Sequence, residues 1–272
     1  MHDHDRGLQF DLRTLRGRRA ALALFGTAGL AALAACGPDT EAAPTTAAST
    51  AGPSTTATPG STPAGRVAEI PEETAGPFPG DGSNGPDVLT ESGIVRSDIR
   101  ASFGSANGTA EGVPLRVELT VVAAGTGAAL PGAAVYVWHC DRDGNYSLYS
   151  PATANENYLR GVQAADDAGK VAFTSIFPAA YTGRWPHVHF EVYPRPADAT
   201  SAGTKLATSQ LALPQDVCAA VYATDGYGRS TRNLEQTSLE RDLVFRDGWD
   251  TQLAAVTGDV AGGYVATLTV AV

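Results

Sequence analysis

Histidine is scarce in this 272-residue chain, with five in all, and four of the five fall in His-x-His pairs, His2 with His4 and His187 with His189. His187 and His189 lie in the stretch Tyr181-Thr182-Gly183-Arg184-Trp185-Pro186-His187-Val188-His189-Phe190-Glu191-Val192-Tyr193. Its second half alternates polar and apolar residues, the pattern of a strand with two unlike faces. Side chains at i and i+2 of a strand share a face, so the two imidazoles point the same way, with Cα atoms roughly 7 Å apart. Two imidazoles so placed can converge on one metal ion. Tyr181 and Arg184 precede them on a turn containing Gly183, which can fold back over the same face. Taken alone, HxH is also the pattern of an ordinary polar strand face. The histidine census weighs against that reading: once a leader holding His2 and His4 is set aside, only His139, His187 and His189 remain. His139, beside Trp138 and Cys140, reads as a satisfied core histidine.

The elements that must position these residues read mostly as short strands. Val188, Phe190 and Val192 point into the layer opposite the histidines, and Pro186 starts their strand, where its missing N–H costs least. Further strands are predicted at Pro114–Ala123, Gly132–Cys140, 158–165, 170–177, Lys205–Leu213 and Val265–Val272, the last closing a sheet. Turns are predicted at Gly125–Gly127, Asp141–Asn145 and Asp166–Gly169, and Asp216–Ala223 reads as helical or turn-like. Many short strands with Gly, Pro and Asp punctuation imply an all-β fold, a β-sandwich. The net charge of −10 argues against a nucleic-acid surface.

The N-terminal third reads differently. Residues 1–36 have the form of an export signal: a basic Arg16-Gly17-Arg18-Arg19, an apolar run from Ala20 to Ala34 too short to span comfortably, and Leu33-Ala34-Ala35-Cys36, which resembles a bacterial lipobox. The expectation is cleavage before Cys36 and lipidation of its sulfur, which would anchor the exported protein to the outer side of the cell membrane. The twin arginine resembles a Tat signal. Residues 37–67, rich in Thr, Ala, Ser and Pro, read as a disordered linker with a reach of about 30 Å. Residues 68–272 are then the folded domain, long enough for one buried core.

Three stretches taken together resemble the intradiol ring-cleavage dioxygenases, the catechol, hydroxyquinol and protocatechuate enzymes. They are VYVWHCDRDGNYSLYS (135–150), YLRGVQAADDAGKVAFTSIFPAAYTGRWPHVHF (158–190) and ATSQLALPQD (207–216), with ETAGPF (73–78) in the same style. The resemblance implies a non-haem Fe(III) held by Tyr146, Tyr181, His187 and His189. It implies that Arg184 stabilises charge building on the substrate, that Gln210 orients nearby, and that Tyr181 is the ligand displaced by the diol. The implied reaction is O2-dependent cleavage of a catechol-type ring to a cis,cis-muconate-type product. Hard anionic phenolates suit ferric iron and would separate such a site from one built of histidine and carboxylate around Fe(II).

The departures from the family are a short insert between Tyr181 and His187 and Ala179-Ala180 where a glycine and a bulkier residue are usual. The first bears on which diol is taken. A carboxylated substrate would want an extra cation, with Arg160 and Arg142 as the candidates. Tyr149, Tyr158, Trp185 and Tyr193 read as packing or pocket wall. With Cys36 lipidated, Cys140 and Cys218 remain, and outside the cytoplasm such a pair is expected to form a disulfide. The partners expected are a small diol, O2 and a membrane reached through the lipid alone, with the protein a monomer or homodimer. Two other functions fit parts of the sequence: a lipid-anchored β-sandwich binding module without turnover, and a copper or zinc protein using only the HxH.

Overall fold

The computed structural model describes residues 67–201 and 203–272. The export signal, Cys36 and all of the linker but Val67 lie outside the described residues. Among the described residues eight strands form two four-stranded sheets, as the all-β expectation requires. They are β1 (Pro114–Val122), β2 (Ala134–Trp138), β3 (Arg160–Ala164), β4 (Lys170–Ile176), β5 (His187–Tyr193), β6 (Ala207–Ala212), β7 (Ala255–Asp259) and β8 (Gly263–Ala271). Three short helices punctuate them: α1 (Pro196–Ala199), α2 (Gln215–Tyr222) and α3 (Ser230–Glu235). The sheet orders are β4-β1-β8-β7 and β3-β2-β5-β6.

Alternation along the strands builds the sandwich. Leu115, Val117, Leu119 and Val121 of β1 meet Val135 and Val137 of β2 and Val188, Phe190 and Val192 of β5 in one buried cluster. Full burial of a side chain of this size contributes about 1.5–3 kcal/mol. The opposite face of the β3-β2-β5-β6 sheet is not left to water. Phe78, Val88, Leu89, Ile94 and Tyr146 pack onto Tyr136 and Trp138 there, so every residue of β5 is buried. The polar half of the β5 alternation therefore faces a second, covered layer.

One arrangement differs from the sequence reading. β8, expected to close a sheet, lies inside one, parallel to β1 and antiparallel to β7, a strand the sequence reading missed. The turn at Asp166–Gly169 joins β3 to β4, but the two belong to different sheets, so it carries the chain across the sandwich. Asp166 Oδ1 accepts from the N–H groups of Ala168 and Lys170 at 2.9 and 2.8 Å. Gly169 has φ +76°, and a Cβ there would stand 2.4 Å from the Val121 carbonyl oxygen, so only glycine fits.

The expected disulfide does not form: Cys140 and Cys218 are separate buried thiols. The two belong to different apolar clusters, Cys140 under the covered outer layer and Cys218 in the sandwich core. Cys140 Sγ instead donates to the Ala179 carbonyl at 3.6 Å.

Candidate metal centre

Three local devices deliver the four proposed ligands. β2 ends at Trp138, and the chain turns at Asp141, whose Oδ1 accepts from the N–H groups of Asp143 and Asn145 at 2.9 and 2.8 Å. This Asx-type turn needs Gly144 at φ +88° and hands the chain to Tyr146. The Tyr146 backbone is then pinned, its N–H donating to Ser150 Oγ at 3.0 Å and its carbonyl accepting from Ser150 N–H at 2.9 Å and Thr153 Oγ1 at 3.0 Å. Tyr181 follows a segment held by Ala180 N–H to Ser230 Oγ at 3.1 Å and by Asn233 Nδ2 to the Ala180 carbonyl at 2.8 Å. β5 supplies His187 and His189 from one face.

The four donors meet. Tyr146 Oη lies 3.3 Å from Tyr181 Oη, Tyr181 Oη lies 3.1 Å from His187 Nε2, and His187 Nε2 lies 3.0 Å from His189 Nε2. Donors about 2.0–2.1 Å from a common ion and 90–109° apart stand roughly 2.8–3.4 Å from each other, so these separations fit one metal ion. The His187 tautomer fits as well. Its Nδ1–H donates to the Trp185 carbonyl at 2.5 Å, which leaves the Nε2 lone pair aimed at the shared point. His189 is held by Trp138, whose ring stacks on the imidazole at 4.9 Å and 7°.

Burial keeps the Tyr146 phenol and both imidazoles of the site uncharged. Burial pushes the Tyr146 phenol well above its ordinary 10, and the neighbouring Tyr181 oxygen adds to it. Burial, then Arg184, brings His187 down to about 3, and burial with His187 and Arg184 takes His189 well below 6.5. Both imidazoles are therefore neutral and free to ligate at ordinary pH. A bound ferric ion would reverse the tyrosine shift, since a metal is the largest local charge in such a site. Among the described residues no three His, Cys, Asp or Glu side chains come together as a metal site, so a centre here depends on the tyrosines.

Gln210 is on β6, where register sets it beside His189. Its Oε1 accepts from Arg184 Nη2 at 2.5 Å, and its Nε2 donates to the Thr74 carbonyl at 2.9 Å. Arg184 and Gln210 are both fully buried. The sequence reading missed Asp242, whose Oδ2 accepts from Arg184 Nε at 2.9 Å. Burial works to raise this carboxyl, and Arg184, the Trp185 N–H and His187 together outweigh it and hold the group below its ordinary range. Its one local signal is an acidic residue set before the apolar run Leu243-Val244-Phe245.

Other assignments resolve individually. His139 is satisfied at both nitrogens, Nδ1 to the Cys140 carbonyl and Nε2 to Ser175 Oγ, each at 2.7 Å. Tyr158, Trp185 and Tyr193 are buried and spend their polar atoms on Asp141, the Leu213 carbonyl and Glu191. Arg160 is not available to a substrate carboxylate. It is buried and donates to Ser147 Oγ, to the carbonyls of Phe78, Pro79 and Ser147, and to Tyr136 Oη. Arg142 lies at the surface, paired with Glu111 at 2.7 Å.

Known proteins share this fold. A family model described as a dioxygenase matches residues 85–188. An intradiol ring-cleavage dioxygenase from Tetranychus urticae superposes with a TM-score of 0.58 at 23% identity, covering 75% of this chain and 94% of that one. The chain has the fold of the intradiol ring-cleavage dioxygenases. The resemblance drawn from the three sequence stretches is borne out at that level. Among curated relatives, a chlorocatechol 1,2-dioxygenase from Rhodococcus opacus is 41% identical over 56 residues, 21% of this chain. That match spans only 22% of the length of the relative.

Proposed function

We propose that this protein is a non-haem Fe(III) dioxygenase that cleaves catechol-type rings with O2 between the two hydroxyl-bearing carbons, giving cis,cis-muconate-type products. The observation that carries the reading is the convergence of Tyr146 Oη, Tyr181 Oη, His187 Nε2 and His189 Nε2 within 3.0–3.3 Å steps. Two phenols beside two imidazoles suit a ferric ion better than copper or zinc on the HxH pair alone. The name of the chlorocatechol relative favours a 1,2-diol as substrate. An intact ligand set of this kind also weighs against a silent binding module.

When bound, ferric iron supplies Lewis acidity, drawing electron density from a chelated diol and opening a ring carbon to O2. The remaining work belongs to the side chains. Tyr181 is the more exposed side chain, at 8% against 1% for Tyr146, and as a phenolate, once ionised by the bound metal, its Oη would take a proton from the incoming diol. Arg184, buried and cationic, stabilises negative charge as it builds on the ring and the added oxygen. Gln210 holds the guanidinium against the site. Fold and lipobox together suggest a protein tethered through Cys36 on the outer side of the membrane, with the linker of residues 37–67 holding domain 68–272 clear of it.

Protein loaded with Fe(III) is expected to show a visible tyrosinate-to-iron band and oxygen uptake with at least one of catechol, chlorocatechol, methylcatechol, hydroxyquinol or protocatechuate. Tyr146→Phe should shift or abolish the band and lower kcat by at least about a hundredfold. A site that binds iron and turns over equally well without that phenol would sink the reading. Cys36→Ala should move the protein from the membrane to the soluble fraction.

A further inference from the structure

Residues 237–254 carry no helix or strand and lie beyond the stretch matched by the family model. One side chain from this segment is nevertheless buried against the site. Asp242 is 0% exposed. Its Oδ2 accepts from Arg184 Nε at 2.9 Å and from the Trp185 backbone N–H at 2.6 Å. Its Oδ1 accepts from the backbone N–H groups of Val244 at 2.8 Å and Phe245 at 3.3 Å. All four partners are donors, so both oxygens must be acceptors, which an ionised carboxylate alone provides. An asparagine would turn its NH2 group against one pair of N–H groups.

The partners of this carboxylate lead to the reacting centre by two routes. Arg184 passes its Nη2 to Gln210, and the peptide whose N–H meets Asp242 belongs to Trp185, whose carbonyl accepts from His187 Nδ1. We infer that Asp242 is a positioning residue for ring cleavage, orienting the Arg184 guanidinium and locking the turn from which His187 departs. The inference rests on the function proposed above. A single salt-bridging carboxylate brought in from the C-terminal segment thus sets two groups at once. Two buried opposite charges in this geometry are costly to separate, because either one left alone is uncompensated.

The test is a double-mutant cycle in Fe(III)-loaded full-length protein, read by oxygen uptake with the diol the wild type consumes. Asp242→Asn is expected to lower kcat at least about tenfold while the visible band persists, and to add less than about twofold in an Arg184→Gln background. Wild-type kcat in Asp242→Asn, or losses that multiply in the double variant, would overturn the inference. A second readout needs no turnover: nitrogen NMR of isotope-labelled arginine, with Ga(III) in place of Fe(III). The Arg184 Nε–H, assigned by its loss in Arg184→Gln, should be protected from exchange in the wild type and unprotected in Asp242→Asn. Free exchange in the wild type, or protection unchanged in the variant, would equally overturn it. If Asp242→Asn does not fold, Asp242→Glu, which keeps the charge on a longer arm, enters the same cycle, with a kcat loss of at least about threefold that disappears in the Arg184→Gln background. A wild type inactive on every diol would defeat the proposed function and leave the NMR result to judge Asp242 alone.

Discussion

His139 shows what burial does to a single side chain in this molecule. It is neutral, with Nδ1–H donating to the Cys140 carbonyl and Nε2 accepting from Ser175. Burial first, offset in part by the Cys140 hydrogen bond, brings it down to about 4. The unfolded chain takes up a proton near the ordinary value of about 6.5, while the folded protein stays unprotonated until about 4. Its contribution to stability is therefore complete above about 6.5 and is lost as the pH falls toward 4. Urea unfolding of metal-free protein from about pH 7 to about pH 4.5 should show His139→Gln losing less stability than the wild type, by up to about 3 kcal/mol. Asp141 and Glu191, both raised by burial, act in the opposite sense but are common to the two proteins. The same logic keeps His187 and His189 neutral and ready to ligate.

The strand β5 is the element on which chemistry and packing meet. Val188, Phe190 and Val192 face the sandwich core, while His187, His189 and Glu191 face the covered outer layer. Register carries this division to the neighbouring strand, with Val188 opposite Leu211 and His189 opposite Gln210. The two faces should respond separately to mutation. Leu211→Ala, on the core face, should cost about 2–5 kcal/mol in urea unfolding yet leave the visible band of the iron-loaded protein at its wild-type position. A band that moved with this substitution would mean that the ligand face and the core face are not mechanically separate. A register slip of one residue would instead exchange the faces and bury both imidazoles in the hydrocarbon core.

At the scale of the whole molecule, the segment leading into the sandwich is stitched across the outer face of the ligand-bearing sheet. Glu73 N–H meets the Thr208 carbonyl, Gln210 meets the Thr74 carbonyl, and Arg160 takes the carbonyls of Phe78 and Pro79. Lys205 completes the stitching, reaching Asp81 at 2.9 Å across 124 residues of sequence and Glu191 at 2.5 Å. Glu191 is fully buried. Lys205→Met would leave that carboxylate without its counter-charge, at a cost of about 3–5 kcal/mol. In urea unfolding the gap to wild type should narrow as the pH falls, because protonating Glu191 removes the buried charge. A gap independent of pH would show that Lys205 acts through its aliphatic stem instead.

The alternation of β5 and the many short punctuated strands were enough to read the all-β fold, and the resemblance carried by three sequence stretches pointed to residues 146, 181, 187 and 189, whose donor atoms the fold brings together. Local chemistry explains why: side-chain period and turn propensity act over a few residues, and the Asx turn at Asp141 and the glycine at 169 are written in adjacent positions. The remainder depended on contacts distant in sequence. Asp242 reaches Arg184 from 58 residues away, and β8 finds β1 as a parallel partner within one sheet, from the far end of the domain sequence. The cysteines looked like a pair by count, but packing placed them in different clusters. Arg160 looked like a spare cation until the chain that covers it supplied its acceptors. In each case the deciding quantity was which groups lost their water together, and that is set by how the layers close over one another.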